Sequence, residues 1–240
     1  MPPKIKAICW DIDGTLVDTE PLYEDTLRAV AALHGQSFPP GVSLEGVGAR
    51  SCWQWLTENR GLSVPIEQFL EECAEHYVAH PEKIIPRPGA PEACTFFAGQ
   101  GLPQCAVSGG VRDQVDTNLG RSGLADIMLF AVSANDVDNS KPHPEPYLLA
   151  RAVLCRIHGW EENSDDAASY LAIEDSMGGV LSAKRAGMTA VYWSKDGQTC
   201  PAADYNVSTP EDLMALCRKL TAPEPSAVPG TKPAIKPPAP

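Results

Sequence analysis

Positive charge is scarce in this chain of 240 residues. Lysine and arginine together number 19 against 31 aspartates and glutamates, which gives a formal net charge of −12. A protein with this balance is repelled by nucleic-acid phosphates and by anionic lipid surfaces. We therefore expect neither a nucleic-acid partner nor a membrane partner. A small phosphorylated substrate stays compatible with this charge, because one local cation can reverse the potential inside a site.

Paired cysteines and long apolar runs are also missing. The eight cysteines are scattered, without a C-x-x-C pair or a metal-ligand spacing. This usage is typical of free thiols in a reducing compartment, so we expect a cytoplasmic protein. We also expect a monomer. The apolar run at residues 5–10 is too short for a signal-peptide core and runs into acidic residues. No apolar run approaches the length of a transmembrane helix.

Short apolar segments alternate with helical patterns along most of the chain. Their nearly continuous apolar character is typical of parallel strands that are buried on both faces. This alternation predicts right-handed βαβ crossovers, so the expected fold class is α/β, with a Rossmann-like, doubly wound parallel sheet. The predicted strands are residues 5–10, 104–107, 127–132, 170–173 and 189–193.

One segment breaks the alternation, because three helical patterns within residues 20–85 follow the first strand with no convincing strand between them. We expect an inserted helical cap over residues 18–86 and a catalytic core formed by residues 1–17 and 87–221. Residues 222–240 are rich in proline and alanine and cannot bury a core, so a disordered or polyproline-like tail is predicted there.

Two aspartates, Asp11 and Asp13, follow the first predicted strand, and Gly14 comes directly after them. Buried carboxylates are costly unless each has water, a positive partner or a cation. A glycine at this point lets the backbone turn sharply and approach a ligand closely. The segment therefore indicates a strand that delivers reactive carboxylates to the edge of a sheet.

Polar residues also follow the other predicted strands. Ser108 ends one strand, Lys141 lies in the loop after the next, and Glu174 and Asp175 close a third. Ligands of open parallel sheets bind beyond the carboxyl ends of the strands, so these groups are expected to meet at one edge. Carboxylates there can hold a divalent metal, while a lysine, a hydroxyl and backbone N–H groups can bind phosphoryl oxygens.

These segments resemble the four motifs of the haloacid dehalogenase superfamily, in its branch with a helical cap after the first motif. Residues 11–20, D-I-D-G-T-L-V-D-T-E, resemble the first motif, and Ser108 resembles the serine of the second motif. Residues 141–147, K-P-H-P-E-P-Y, resemble the third motif, and residues 174–176, E-D-S, resemble the fourth. The order and the spacing fit, and the resemblance covers residues 4–220.

The resemblance implies a phosphatase that works in two steps. Asp11 would attack phosphorus to form an aspartyl-phosphate, which water then cleaves. Asp13 would protonate the leaving alcohol and later accept a proton from the attacking water. Lys141 would hold Asp11 and the phosphate in register, and Ser108 with the N–H of Gly109 would complete the phosphate cradle.

The resemblance also implies Mg²⁺ as the cofactor. The ion would be held by Asp11, the backbone carbonyl of Asp13 and Asp175, with Glu174 beside it. A carboxylate that attacks an anionic phosphate needs such a cation, because like charges would otherwise keep the two apart.

Each segment taken alone has a plainer interpretation. A D-x-D-G segment also occurs in calcium loops, but an EF-hand places its glycine sixth and follows a helix, whereas Gly14 is fourth and follows a strand-like segment. Ser108 and its two glycines fit an ordinary turn, Lys141 fits a solvated loop, and residues 174–175 fit a helix cap. Only the joint placement of these segments favours catalysis.

Within the family, Asp13 counts against dehalogenases and phosphonoacetaldehyde hydrolases, which lack the second aspartate. β-Phosphoglucomutase-like enzymes remain the alternative, since they share both aspartates and the cap type. They carry a histidine where this chain has Tyr23 and a K-G-V-S-R pattern that aligns with E-G-V-G-A-R at residues 45–50. Glu45 would repel the second phosphate of a bisphosphate, so we expect a phosphatase, with Arg50 as a substrate contact from the cap.

The substrate itself stays open among small phosphorylated metabolites, including pentose and hexose phosphates, sugar-alcohol phosphates and phosphoglycolate. A different class of function is a non-catalytic binding protein that uses the proline-rich residues 232–240 to dock SH3-type partners. The intact catalytic motifs count against that alternative.

Overall fold

The computed structural model describes residues 4–44, 47–161 and 164–221. The predicted tail at residues 222–240, and Glu45 with its neighbour Gly46, lie outside these described residues. The strands of the described part, β1 to β8 in chain order, are Ala7–Trp10, Val17–Asp18, Ile85–Pro86, Gln104–Val107, Met128–Val132, Tyr170–Glu174, Thr189–Trp193 and Tyr205–Val207. Its α-helices, α1 to α8, are Glu20–Leu33, Ala49–Arg60, Ile66–Ala79, Ala90–Gly99, Arg112–Ser122, Glu145–His158, Met177–Arg185 and Pro210–Thr221.

The main sheet is parallel throughout and has the strand order β5-β4-β1-β6-β7-β8. This confirms the predicted α/β class with a Rossmann-like sheet. The five predicted strands are all present, and their ends lie within two residues of the predicted ones. The sixth strand, β8, was not predicted, because three partly exposed edge residues carry too little apolar pattern to stand out.

Alternate side chains of β1 enter the two halves of the core. Ala7 and Cys9 pack with α6 and α7 on one face of the sheet. Ile8 and Trp10 pack with α4, α5 and α8 on the other face. All four residues are buried, as expected for a central parallel strand covered on both faces. β1 therefore holds the segment that follows it in a fixed position at the middle of the sheet.

The helices α1, α2 and α3 share a hydrophobic cluster of their own, built on residues such as Leu27, Leu56 and Phe69. The chain enters and leaves this helical segment through the antiparallel pair β2–β3, in which Val17 pairs with Pro86. This two-stranded ribbon was not predicted, since each strand has only two residues. We propose the division at residues 18–86 that the sequence predicts, because a separate cluster and a two-stranded connection are what an inserted cap requires.

The structure can be compared with two further expectations, on the cysteines and on membrane-spanning helices. All eight cysteines are free and buried, in agreement with their expected role as small apolar side chains. Among the described helices, none combines the length and the apolar character that crossing a bilayer requires.

Candidate active site

The first aspartates lie at the carboxyl end of β1, where the chain turns. The backbone N–H of Asp11 donates to the carbonyl of Ile173 in β6 (2.9 Å), and the N–H of Gly14 donates to the carbonyl of Val17 (2.8 Å). Gly14 has a φ of +83°. A Cβ atom added to Gly14 would lie 1.9 Å from an Asp175 carboxylate oxygen. The turn therefore requires glycine both for its backbone conformation and for the close approach of Asp175.

Lys141 reaches this edge from the loop after β5. Its Nζ donates to Asp11 Oδ1 (2.7 Å), to Glu174 Oε1 (2.6 Å) and to the carbonyl of Val107 (2.8 Å). Burial alone would lower the pKa of the lysine, but the charges of the two carboxylates outweigh burial and raise the pKa above its ordinary value. Lys141 therefore stays charged and ties the ends of three strands together.

Glu174 is fully buried and highly constrained. Its Oε1 accepts hydrogen bonds from Lys141 and from the Tyr147 hydroxyl (2.6 Å), and its Oε2 accepts one from the Ser176 hydroxyl (3.2 Å). A Cβ atom added to Gly179 would lie 1.9 Å from the Glu174 carboxyl carbon. Burial, with the charge of Asp11, raises the pKa of Glu174 to about 7.

Asp11, Glu174 and Asp175 form a possible cation site. Their carboxylate oxygens all lie within 4.8 Å of one another. Burial, followed by the charges of Asp11 and Glu174, raises the pKa of Asp175 to about 8. The buried Oδ2 of Asp11 has no hydrogen-bond partner in the described part of the chain. Converging hard oxygen atoms with an unpaired member are a donor set that fits Mg²⁺.

Asp13 has a different set of partners, all of them uncharged. Its Oδ1 accepts hydrogen bonds from the Asn118 amide (2.9 Å) and the Thr19 hydroxyl (3.2 Å), and its Oδ2 accepts one from the Ser108 hydroxyl (3.0 Å). Burial, followed by the charge of Asp11, raises the pKa of Asp13 to about 6. A carboxyl group with this pKa can carry a proton and release it near neutral pH.

The predicted phosphate contacts lie beside Asp13. The Ser108 hydroxyl accepts from the N–H of Gly110 (2.9 Å) while it donates to Asp13. Gly109 is exposed, and its N–H donates to no other group among the described residues, so it is free to bind a ligand oxygen. Seven of the eight predicted site positions, from four separate segments, thus converge at the carboxyl ends of the strands.

Arg50 does not join this cluster. It lies exposed in the first turn of α2 and makes no hydrogen bond or ion pair with the described residues. Its predicted contact with substrate stays a prediction. Glu45, the residue that distinguishes this segment from the mutase pattern, lies outside the described residues.

Three site residues were not predicted. Tyr147 lies inside the third motif, but its contact with Glu174 appears only in the fold. Tyr77 and Asn118, both about 1% exposed, connect α3 to Asp13 through α5. Asn118 could have been identified from the helical pattern, because it shares the buried face of α5 with Val115 and Leu119. A polar side chain on such a face needs hydrogen-bond partners inside the protein.

A comparison with protein families agrees with this geometry. A family model described as haloacid dehalogenase-like hydrolase matches residues 5–187, well over half of the chain. The chain belongs to this family. The resemblance drawn from the four motifs is therefore confirmed.

Relatives of this haloacid dehalogenase-like hydrolase carry phosphatase names. "Putative phosphatase YhcW" of Bacillus subtilis is 30% identical over 190 residues, which cover 78% of this chain and 82% of that protein. "Phosphorylated carbohydrates phosphatase" of Thermotoga maritima is 29% identical over 224 residues, 90% of this chain and the whole of that protein. A solved structure described as a putative beta-phosphoglucomutase from Thermotoga maritima has a TM-score of 0.72 and 25% identity, and the match covers 90% of this chain and 99% of that one. The family and these relatives support the predicted enzyme class, a phosphatase.

Proposed function

We propose that this chain is a Mg²⁺-dependent phosphatase that hydrolyses a small phosphorylated metabolite through an aspartyl-phosphate on Asp11. The observation that carries the proposal is the asymmetry of the Asp11 carboxylate. Lys141 holds Oδ1, while the buried Oδ2 has no partner among the described residues. An unpaired buried carboxylate oxygen is costly, so a site that keeps one has a use for it, as a nucleophile or a ligand.

The first step is attack by the Asp11 carboxylate on phosphorus. A bond forms between Asp11 and phosphorus while the bond from phosphorus to the alcohol oxygen breaks, and Asp13 gives its proton to that oxygen. In the second step water attacks the aspartyl-phosphate and Asp13 takes up the proton. Inorganic phosphate leaves, and both aspartates return to their starting forms.

The cluster of three carboxylates supports the proposed position of the cofactor. Asp11 and Asp175 would bind Mg²⁺ with Glu174 beside them, and the carbonyl of Asp13 stays a predicted fourth contact. When bound, the ion would supply the positive charge that lets an anionic nucleophile approach an anionic phosphoryl group. Lys141 orients Asp11 through its hydrogen bond to Oδ1.

The phosphoryl group would be held by donors that are already in place. The N–H of Gly109 is exposed and makes no bond within the described chain, and the neighbouring Ser108 hydroxyl can rotate between Asp13 and a ligand oxygen. Lys141 donates its three N–H groups to Asp11, Glu174 and the carbonyl of Val107, so it contributes its positive charge to phosphoryl binding. These contacts recognise a phosphoryl group and leave the identity of the alcohol to other residues.

The name of the Thermotoga maritima relative supports phosphorylated carbohydrates as the substrate class. We include sugar phosphates and phosphoglycolate-like esters in the proposal, since nothing in the proposed cradle distinguishes between them. Phosphate release across a panel of such metabolites would rank them.

The test measures release of p-nitrophenol from p-nitrophenyl phosphate. Wild-type protein should be active with Mg²⁺ and inactive after chelation, and Asp11→Asn should lower kcat by at least about 1,000-fold, because it removes the nucleophile. Asp126→Asn is the matched control, since it makes the same change at an exposed position away from the site. Mg²⁺ should also raise the melting temperature of wild type and not that of Asp11→Asn, a readout independent of turnover. Unchanged activity in Asp11→Asn would overturn the mechanism.

One further incubation separates hydrolysis from the mutase alternative. With β-glucose 1-phosphate and a bisphosphate primer, a phosphatase releases inorganic phosphate. Rapid formation of glucose 6-phosphate with little free phosphate would instead assign the chain to the mutases.

A further inference from the structure

A chain of buried hydrogen bonds connects helix α3 to Asp13. The Tyr77 hydroxyl on α3 donates to Asn118 Oδ1 on α5 (2.8 Å), and Asn118 Nδ2 donates to Asp13 Oδ1 (2.9 Å). Tyr77 and Asn118 are each about 1% exposed. The proposed mechanism assigns no role to either side chain.

The direction of these bonds follows from the chemistry of the groups. An ionised carboxylate only accepts hydrogen bonds, so Asn118 must turn its NH₂ group toward Asp13. Its carbonyl oxygen then faces Tyr77, and the phenolic hydroxyl must donate. Tyr77 therefore supports this orientation of the amide, because its hydroxyl satisfies an oxygen that would otherwise be buried and unpaired.

This arrangement makes the two oxygens of Asp13 unequal. Oδ1 already accepts two hydrogen bonds, one from the Thr19 hydroxyl and one from the NH₂ group of Asn118, which cannot accept in return, so a proton on Oδ1 would have to displace one of these donors. Among the described residues, Oδ2 accepts one hydrogen bond, from the Ser108 hydroxyl, which can rotate and accept. The favourable position for a proton on Asp13 is therefore Oδ2.

We propose that Asn118 and Tyr77 are positioning residues that keep Oδ1 of Asp13 as an acceptor, so that Oδ2 carries the proton that goes to the leaving group. As the bond between phosphorus and the leaving oxygen breaks, the Oδ2–H proton passes to that oxygen. Asp13 becomes a carboxylate that keeps its hydrogen bond from Asn118. This inference rests on the proposed function, because it assigns residues to the acid step of that reaction.

Because Tyr77 belongs to α3 and Asn118 to α5, the placement of α3 against α5 controls how Asp13 presents its proton. The two helices are in contact in the structure. Tyr77 also packs edge-to-face against Tyr23 of α1, with ring centroids 5.9 Å apart. The segment proposed as the cap thus acts on the acid, besides any contact that it makes with substrate.

The experiment compares two aryl phosphates of similar shape. Phenyl phosphate has a strongly basic leaving group that needs a proton, whereas 2,4-dinitrophenyl phosphate has a weakly basic one that leaves without help. kcat/KM for each reports the step in which the alcohol leaves. A defect in proton delivery therefore slows the first substrate and spares the second, while a general loss of structure slows both alike.

For Asn118→Leu, we expect kcat/KM for phenyl phosphate to fall roughly 100-fold, the lower end of what a positioned general acid contributes, and less than about 5-fold for the dinitrophenyl ester. For Tyr77→Phe, we expect the ratio of kcat/KM for phenyl phosphate to kcat/KM for the dinitrophenyl ester to fall by about 10-fold. This variant keeps Asn118 but removes the hydrogen bond that holds its amide group in one orientation. If Tyr77 acts through Asn118, the double variant should be no worse than Asn118→Leu alone.

Tyr205→Phe is the matched control, because it removes a tyrosine hydroxyl from the edge strand β8, which lies three strands away from β1 in the sheet. It should leave the ratio of the two substrates at the wild-type value. Equal losses on both substrates, or the same ratio shift in Tyr205→Phe, would overturn the inference. Wild-type protein that hydrolyses neither ester would instead overturn the proposed function. If Asn118→Leu fails to fold, Tyr77→Phe decides the question.

Discussion

Gly179 in α7 should not tolerate a single methyl group. A Cβ atom at this position would lie 1.9 Å from the carboxyl carbon and from Oε2 of Glu174, and 2.1 Å from Oε1. Glu174 cannot easily move, because it is fully buried and is held by Lys141 and Tyr147. Gly179→Ala must therefore displace either the carboxylate or the start of the helix.

The magnitude follows from the two available responses. Inserting a methyl group into a packed interior costs about 1–3 kcal/mol, and weakening a hydrogen bond to a buried charged group costs about 1.5–3 kcal/mol. We expect the carboxylate and the helix each to move part of the way, so that the two costs are each paid in part. The expected loss in the free energy of unfolding is then about 3 kcal/mol. In a chain of this size that corresponds to a melting temperature lower by about 6–12 °C.

Gly178→Ala provides the matched control. Gly178 is the neighbouring residue in the same helix, and an added Cβ there meets nothing within 4 Å. Alanine favours helix over glycine by up to about 1 kcal/mol, so this variant should be as stable as wild type or slightly more stable. Thermal and urea unfolding of both variants provide the measurement. If Gly179→Ala proved as stable as Gly178→Ala, the packing of Glu174 against α7 would not be the constraint described here.

Two further outcomes follow from the site. Tyr147→Phe should lower the free energy of unfolding by about 1.5–3 kcal/mol, because it removes a 2.6 Å hydrogen bond to the buried Glu174. The control Tyr205→Phe, on the edge strand β8, should leave the free energy of unfolding unchanged. Equal urea midpoints for the two variants would contradict this prediction. A chain that ends at residue 221 should keep the full-length kcat/KM for p-nitrophenyl phosphate, since every group in the proposed mechanism lies before that point. Loss of turnover in the shortened chain would favour a functional role for residues 222–240.

The positions of the main site residues could be predicted from the sequence because they depend on local pattern and on sheet geometry. Apolar segments identified the strands, and parallel strands end at one edge. Asp11, Ser108 and Glu174 therefore had to meet there, although they lie far apart in the chain. The order of the strands was not needed for this prediction, since every parallel strand ends at the same edge.

The supporting groups could not be predicted in this way, because their roles depend on contacts across the fold. Asn118 is 105 residues from Asp13, and nothing near it in the sequence indicates that partner. Tyr147 reads as an apolar residue of α6 until its hydroxyl is seen against Glu174. Gly179 and Gly178 are indistinguishable in the sequence, and only the position of Glu174 separates them.

The two aspartates of the first motif show how the fold assigns different tasks to identical side chains. Asp11 pairs with the charged Lys141 through Oδ1, and its Oδ2 has no hydrogen-bond partner among the described residues. Asp13, two residues away, receives hydrogen bonds from Asn118 and two hydroxyls, all uncharged, and burial with the charge of Asp11 raises its pKa to about 6. A lysine in place of Asn118 would favour ionised Asp13 and remove the proton that the leaving alcohol requires. A neutral donor at position 118 is thus what the acid step demands.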